Sequence, residues 1–90
     1  MLSHFLAANV VQDPNDENKW YYVSTINRYS SADYYPHRYA ETIVFEWDIE
    51  NQKKVRILKQ DECGDGSTWK HDLIVSLLRL NGMKAFWDDE

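Results

Sequence analysis

The side chains best suited to chemistry gather in DECGDGSTWKHD, residues 61–72 of a 90-residue chain. Asp61, Asp65, Gly66 and Asp72 fall on positions one, five, six and twelve of a calcium-binding EF-hand loop, in which acids and a sharp glycine turn wrap a hard cation in oxygens. Position three is Cys63, a soft sulfur, and position twelve is the short Asp72 in place of a bidentate Glu. The ligand set therefore falls below what calcium requires. In the same run Cys63 and His71 stand eight residues apart. They would make a nucleophile and its base if folding brought them to hydrogen-bond distance with oxyanion donors alongside. A small apolar thiol and a packing histidine beside a helix start account for both residues with no chemistry. His4, His37 and His71 lack the i, i+4 spacing that sets two zinc ligands on one helix face. With three glycines in the chain, there is no phosphate cradle and no Gly-x-Ser-x-Gly elbow. These residues predict no catalytic group, no metal and no cofactor: a binding protein, not an enzyme.

Residues suited to binding are more distinctive. Tyr34, Tyr35, His37 and Arg38, with Arg28 and Tyr29 upstream, combine the side chains that anchor protein interfaces with those that stack single-stranded nucleic acid. Charge separates the two uses. From Arg28 to Tyr39 two Arg less Asp33 leave only +1, and the whole chain carries -5, a balance that repels a polyanion. A protein partner is expected, with no direct nucleic-acid binding. The acids cluster as Asp13, Asp16 and Glu17, then Asp61, Glu62 and Asp65, then Asp88, Asp89 and Glu90. Such runs are solvated loops, or a surface that meets a basic partner.

The positioning elements follow from periodicity. Residues 2–11 carry apolar side chains on both parities and read as a first strand covered on much of both faces. This opening stretch has no basic n-region and is shorter than the ~20 residues of a membrane span, so no membrane partner is expected. DPNDEN supplies a turn, and Trp20 to Asn27, aromatic and β-branched, a second strand. Arg28 to Arg38 breaks period around Ser30, Ser31, Asp33 and Pro36 and reads as a loop. Tyr39, Ile43, Phe45, Trp47 and Ile49 then share one parity, with Glu41 the exception, which predicts a third strand whose odd positions build the core. ENQKK is a turn into a fourth strand through Val55, Ile57 and Leu58, antiparallel because the link is short. Ser67 or Thr68 is the expected N-cap of a helix whose Trp69, Leu73, Ile74, Leu77, Leu78 and Leu80 face the sheet, closed at Asn81-Gly82. Met83, Phe86 and Trp87 extend that contact.

The string is ββββα: one α+β domain over residues 1–90, a four-stranded antiparallel sheet with a C-terminal helix on one face. Its uncovered face is the place for an aromatic contact patch. One cysteine excludes an internal disulfide and favours a reducing, cytoplasmic setting.

YAETIVFEWD, Tyr39 to Asp48, followed by HDLIVSLL, His71 to Leu78, resembles a pattern in small uncharacterised bacteriophage proteins: an aromatic, Glu-Thr, Met or Ile and Val-Phe strand before a His-led amphipathic helix. The resemblance covers about half of the chain and transfers no residue roles. It implies a context, the bacterial host cytoplasm, in which small acidic proteins inhibit a host defence or nucleic-acid-processing protein, as anti-CRISPR proteins do. The expected function is thus an acidic protein-binding inhibitor, a partial nucleic-acid mimic. Its contacts are Tyr34, Tyr35, His37 and Arg38 with the acids Asp13, Asp16, Glu17, Asp61, Glu62 and Asp65. The alternative is a homo-oligomeric structural or virion accessory protein.

Overall fold

A computed structural model describes residues 4–30, 37–62 and 68–86. Strand β1 spans His4–Asp13, β2 Asp16–Ser30, β3 His37–Asp48 and β4 Lys53–Glu62; helix α1 spans Trp69–Asn81, and a 3-10 turn, Gly82–Phe86, follows it. The strands pair antiparallel in chain order, β1-β2-β3-β4, and the fold is the α+β ββββα arrangement that the sequence predicts.

Side-chain hydrogen bonds to the local backbone make both tight turns. Only Pro14 and Asn15 separate β1 from β2, and the Asn15 N–H donates to Asp13 Oδ1 at 2.7 Å. At the β3–β4 turn, Asp48 Oδ1 accepts from the N–H groups of Glu50 and Asn51, both at 3.1 Å, and Gln52 takes a left-handed φ of 52°. The strands outrun their apolar segments. Arg28 to Ser30 and His37 to Arg38, expected in a loop, instead pair across β2 and β3, with Arg28 opposite Tyr39, Tyr29 opposite Arg38 and Ser30 opposite His37. The backbone ladder continues past the point where hydrophobic alternation stops.

The core lies between α1 and one face of the sheet. Val11, Tyr21, Val23 and Val44 meet Ile74, Val75, Leu78 and Met83, with Leu58 and Phe86 at the margin. Cross-strand partners share a face, so Tyr21, Val23 and Thr25 bring Glu46, Val44 and Thr42 to the helix side. This corrects the parity expected of β3. Even positions, Thr42 and Val44, lie under the helix, and odd ones, Phe45 and Trp47, lie on the opposite face. Small β-branched rows give the helix close access, whereas the aromatic rows pack on each other. In β1, Val11 is buried while Val10 is 41% exposed, so this strand too is covered on one face only.

The helix presents His71, Ile74, Val75 and Leu78 to the sheet, an i, i+3, i+4, i+7 stripe. Trp69, Leu73 and Leu80, expected against the sheet, are outside instead, at 55%, 48% and 71% exposure. The reason is polar. His71 belongs to a buried chain in which its Nε2 lies 2.7 Å from Asn9 Oδ1 and its Nδ1 2.8 Å from Thr25 Oγ1, itself 2.6 Å from Thr42 Oγ1. One neutral tautomer, with Nε2–H donating to Asn9 and the Thr25 hydroxyl donating to Nδ1, serves all four side chains. Turning the helix to bury Trp69 and Leu73 would take the imidazole away from Thr25 and Asn9.

Thr68 occupies the N-cap position, but its hydroxyl makes no capping bond; its carbonyl accepts from the Asp72 N–H at 3.1 Å. Gly82 ends the helix as expected, at φ 63° with its N–H donating to the Leu78 carbonyl. A side chain on Gly82 would put Cβ 2.5 Å from Asp13 Oδ2. That carboxylate also accepts from the Tyr21 hydroxyl, so the helix end, the first turn and the core tyrosine lock at one point. Burial raises the Asp13 pKa, but bonds from Tyr21 and Asn15 to the ionised form outweigh it and hold the group below the ordinary carboxylate range. Burial, then the same carboxylate, push the Tyr21 phenol up.

Candidate interaction surface

The face of the sheet away from α1 is an aromatic band. Tyr22 stacks on Trp47, centroids 5.0 Å apart at 29°, and meets Phe45 at 6.1 Å. The register sets Trp20 opposite Trp47 and Ile57 opposite Phe45, with Val10 opposite Tyr22. Lys54 lies over the band, its Nζ 4.6 Å from the Phe45 centroid and 5.3 Å from that of Tyr22, a cation–π contact. Ile57 at 53% exposure, Val55 at 54% and Val10 at 41% edge the band, so solvent meets contiguous apolar surface here. Sequence reasoning anticipated an aromatic open face on β2 and β3. It missed which residues build it: of those assigned to the core of β3, Ile43 is buried, but Phe45 and Trp47 stand on the open face.

Away from the turns the band ends in a polar clamp. Glu41, a carboxylate on a mostly apolar row, is buried between Arg28, whose Nε donates at 2.5 Å, and Gln60, whose Nε2 donates at 2.6 Å. Ion pairing and hydrogen bonding together offset its desolvation. At the turn end, a cleft of about 390 Å³ is bounded by Trp20 and Trp47 with Glu17, Glu46, Asp48 and Glu50. Glu46, which reaches the cleft from the helix-side row, is engaged by Arg56 at 2.7 Å, and the Asn51 amide and N–H hold Asp48 below the ordinary carboxylate range. The rim of the cleft is acidic, its walls aromatic.

The structure divides the contact residues expected from sequence. Asp13, Asp16 and Glu17 lie at the β1–β2 turn, where Asp13 is committed to Tyr21 and Asn15 and Asp16 Oδ1 accepts from the Asn18 N–H at 3.0 Å. Asp61 and Glu62 end β4, where Asp61 pairs with Lys59 at 3.3 Å and the Glu62 carbonyl accepts from Lys70 Nζ at 3.0 Å. Asp61 is in the row of Thr42 and Thr25, nine residues of β2 from Asp16, or roughly 30 Å at ~3.3 Å per residue. The two clusters form no single acidic strip. His37 and Arg38 open β3, and Tyr34, Tyr35 and Asp65 lie outside the described residues.

His71, with both ring nitrogens engaged and burial pushing its pKa down, is placed as a packing histidine. Cys63 lies outside the described residues. Among the described residues no group of three metal-ligating side chains occurs, and no helix is long and apolar enough to cross a membrane. No protein-family model, curated protein or solved structure matches this chain.

Proposed function

We propose that this chain is a small acidic protein-binding module that docks another protein on the open face of its sheet. The observation that carries the reading is the uncovered band of Tyr22, Phe45, Trp47 and Ile57, rimmed at one end by carboxylates and at the other by the Arg28–Glu41 pair. Aromatic anchors inside a polar rim are the anatomy of a protein interface. Base stacking is less well served: these rings spend faces on one another and on Lys54, and the net charge of -5 opposes phosphate. The acidic turn end suits a partner with a basic surface. The phage-like strand and helix pattern points to a host defence or nucleic-acid-processing protein, inhibited by occlusion.

The test is quantitative pull-down from bacterial lysate with the intact chain and two variants. Ile57→Glu changes a half-exposed side chain on the band, so folding is retained; Tyr34→Ala, Tyr35→Ala, Arg38→Ala together remove the aromatic segment. A partner lost by Ile57→Glu, with affinity down about tenfold or more, and kept by the triple variant supports the sheet face. The reverse pattern returns the role to Tyr34, Tyr35 and Arg38 and overturns the reading. Association with that partner should slow as salt is raised, since the acidic rim steers a basic surface over a Debye length.

A further inference from the structure

The helix is apolar on two opposite sides, and the fold uses one of them. His71, Ile74, Val75 and Leu78 are buried against the sheet, whereas Trp69, Leu73 and Leu80 are 55%, 48% and 71% exposed. With Ser76, also exposed, these outer residues fall at 69, 73, 76 and 80. Steps of four, three and four are the seam spacing of a coiled coil, laid along the solvent side of α1. Asp72 and Arg79 are both exposed, seven residues apart on one flank of that seam, each immediately before a seam leucine.

We infer that this outer stripe is a homodimer interface in which α1 packs antiparallel on α1 of a second copy. Alternating seam layers set Trp69 against Leu80 of the second copy and Leu73 against Ser76 of the second copy, a large residue facing a small one in the central layers. The same register carries Asp72 to Arg79 of the second copy, and the two-fold repeats the pair, giving two opposite-charge contacts from one surface. That self-complementarity selects a second copy of this chain over another occupant, because an isologous interface needs each patch to match itself. On the other flank Lys70 meets Leu77 of the second copy, aliphatic stem to side chain, with no like-charge contact. Because a seam of about three helical turns makes a small interface, association is expected in the micromolar range. The inference is independent of sheet-face docking: the pairing helix lies on the opposite side of the sheet, so both aromatic bands stay accessible.

Sedimentation velocity of the full chain from low micromolar to near-millimolar concentration tests it, with circular dichroism confirming that each variant is folded. Wild type should shift from monomer to dimer. Asp72→Arg and Arg79→Asp should each weaken dimerisation by about tenfold, since each converts two attractive contacts into two repulsive ones. Mixing them should restore a one-to-one dimer, because the two arginines of the Asp72→Arg chain then face the two aspartates of the Arg79→Asp chain. Leu73→Gln, at an exposed position away from the first turn, should abolish the dimer and stands in if Asp72→Arg weakens the helix start. A wild type monomeric throughout, a dimer that survives Leu73→Gln, or charge variants that fail to complement each other would overturn the interface.

Discussion

Mild acid should loosen this fold through one residue. Burial, only partly opposed by Asp72, pushes the His71 pKa below its ordinary 6.5. Unfolded, the imidazole takes a proton near that value; folded, it stays neutral to lower pH. Below 6.5 the unfolded chain therefore binds more protons, and stability must fall as pH falls through this window. A full proton of difference is worth about 1.4 kcal/mol per pH unit. Integrated from about pH 7.5 to about pH 5.5, the loss is at most about 1.4 kcal/mol, a fall of roughly 5–10 °C in Tm for a domain of this size. Asp13 and Asp48, both below the ordinary carboxylate range, titrate beneath the window and leave it clean. Urea unfolding followed by circular dichroism at the two pH values measures the effect. His71→Gln, run in parallel, removes this titration while keeping His4 and His37, and should flatten the dependence. It should also cost about 1–3 kcal/mol at neutral pH through imperfectly satisfied Asn9 and Thr25. Equal wild-type stability at both pH values, or a slope that survives in His71→Gln, would refute the claim that a neutral buried imidazole ties helix to sheet.

Two further substitutions probe how the helix sits. Leu78→Ala, at a fully buried position, should cost about 2–5 kcal/mol in chemical denaturation, against less than about 1 kcal/mol for Leu73→Ala measured well below the dimerisation range; similar costs would mean that the helix is rotated. Gly82→Ala should lower stability by about 1–3 kcal/mol, because φ is 63° and the new Cβ would meet the Asp13 carboxylate at 2.5 Å. An unchanged melting temperature would dissolve the junction of helix end, first turn and Tyr21.

Element order and type were legible because each segment has a clear period and clear punctuation. Pro14-Asn15, the Asn51 turn and Gly82 sit where the chain reverses or stops. Faces were less legible. In β3 the bulkier parity, Phe45 and Trp47, looks like the core, yet Val44 and Thr42 take it because Val23 and Thr25 stand opposite them, and no single strand reveals that register. In α1 the bland-looking His71 decides the rotation by meeting Thr25 and Asn9, partners 46 and 62 residues away. A leucine-and-tryptophan stripe advertised itself more strongly and lies outside. The acidic clusters were visible as clusters, but their separation along the sheet depends on β2 running from Asp16 to Ser30, several residues beyond its apolar signal at each end.

Helix α1 and the turn after it pack on β1, and α1 on β2, so a segment made after the four strands covers the earliest of them. During synthesis the four-stranded meander emerges from the ribosome ahead of its cover, with Val11, Tyr21, Val23 and Val44 as bare as the aromatic band behind them. The nascent sheet is therefore two-faced and sticky for as long as α1 and the turn after it take to follow, at ≈ 5–20 residues per second a delay of about seconds. A truncation that removes α1 would leave that state permanent, and the chain should then be found in the insoluble fraction.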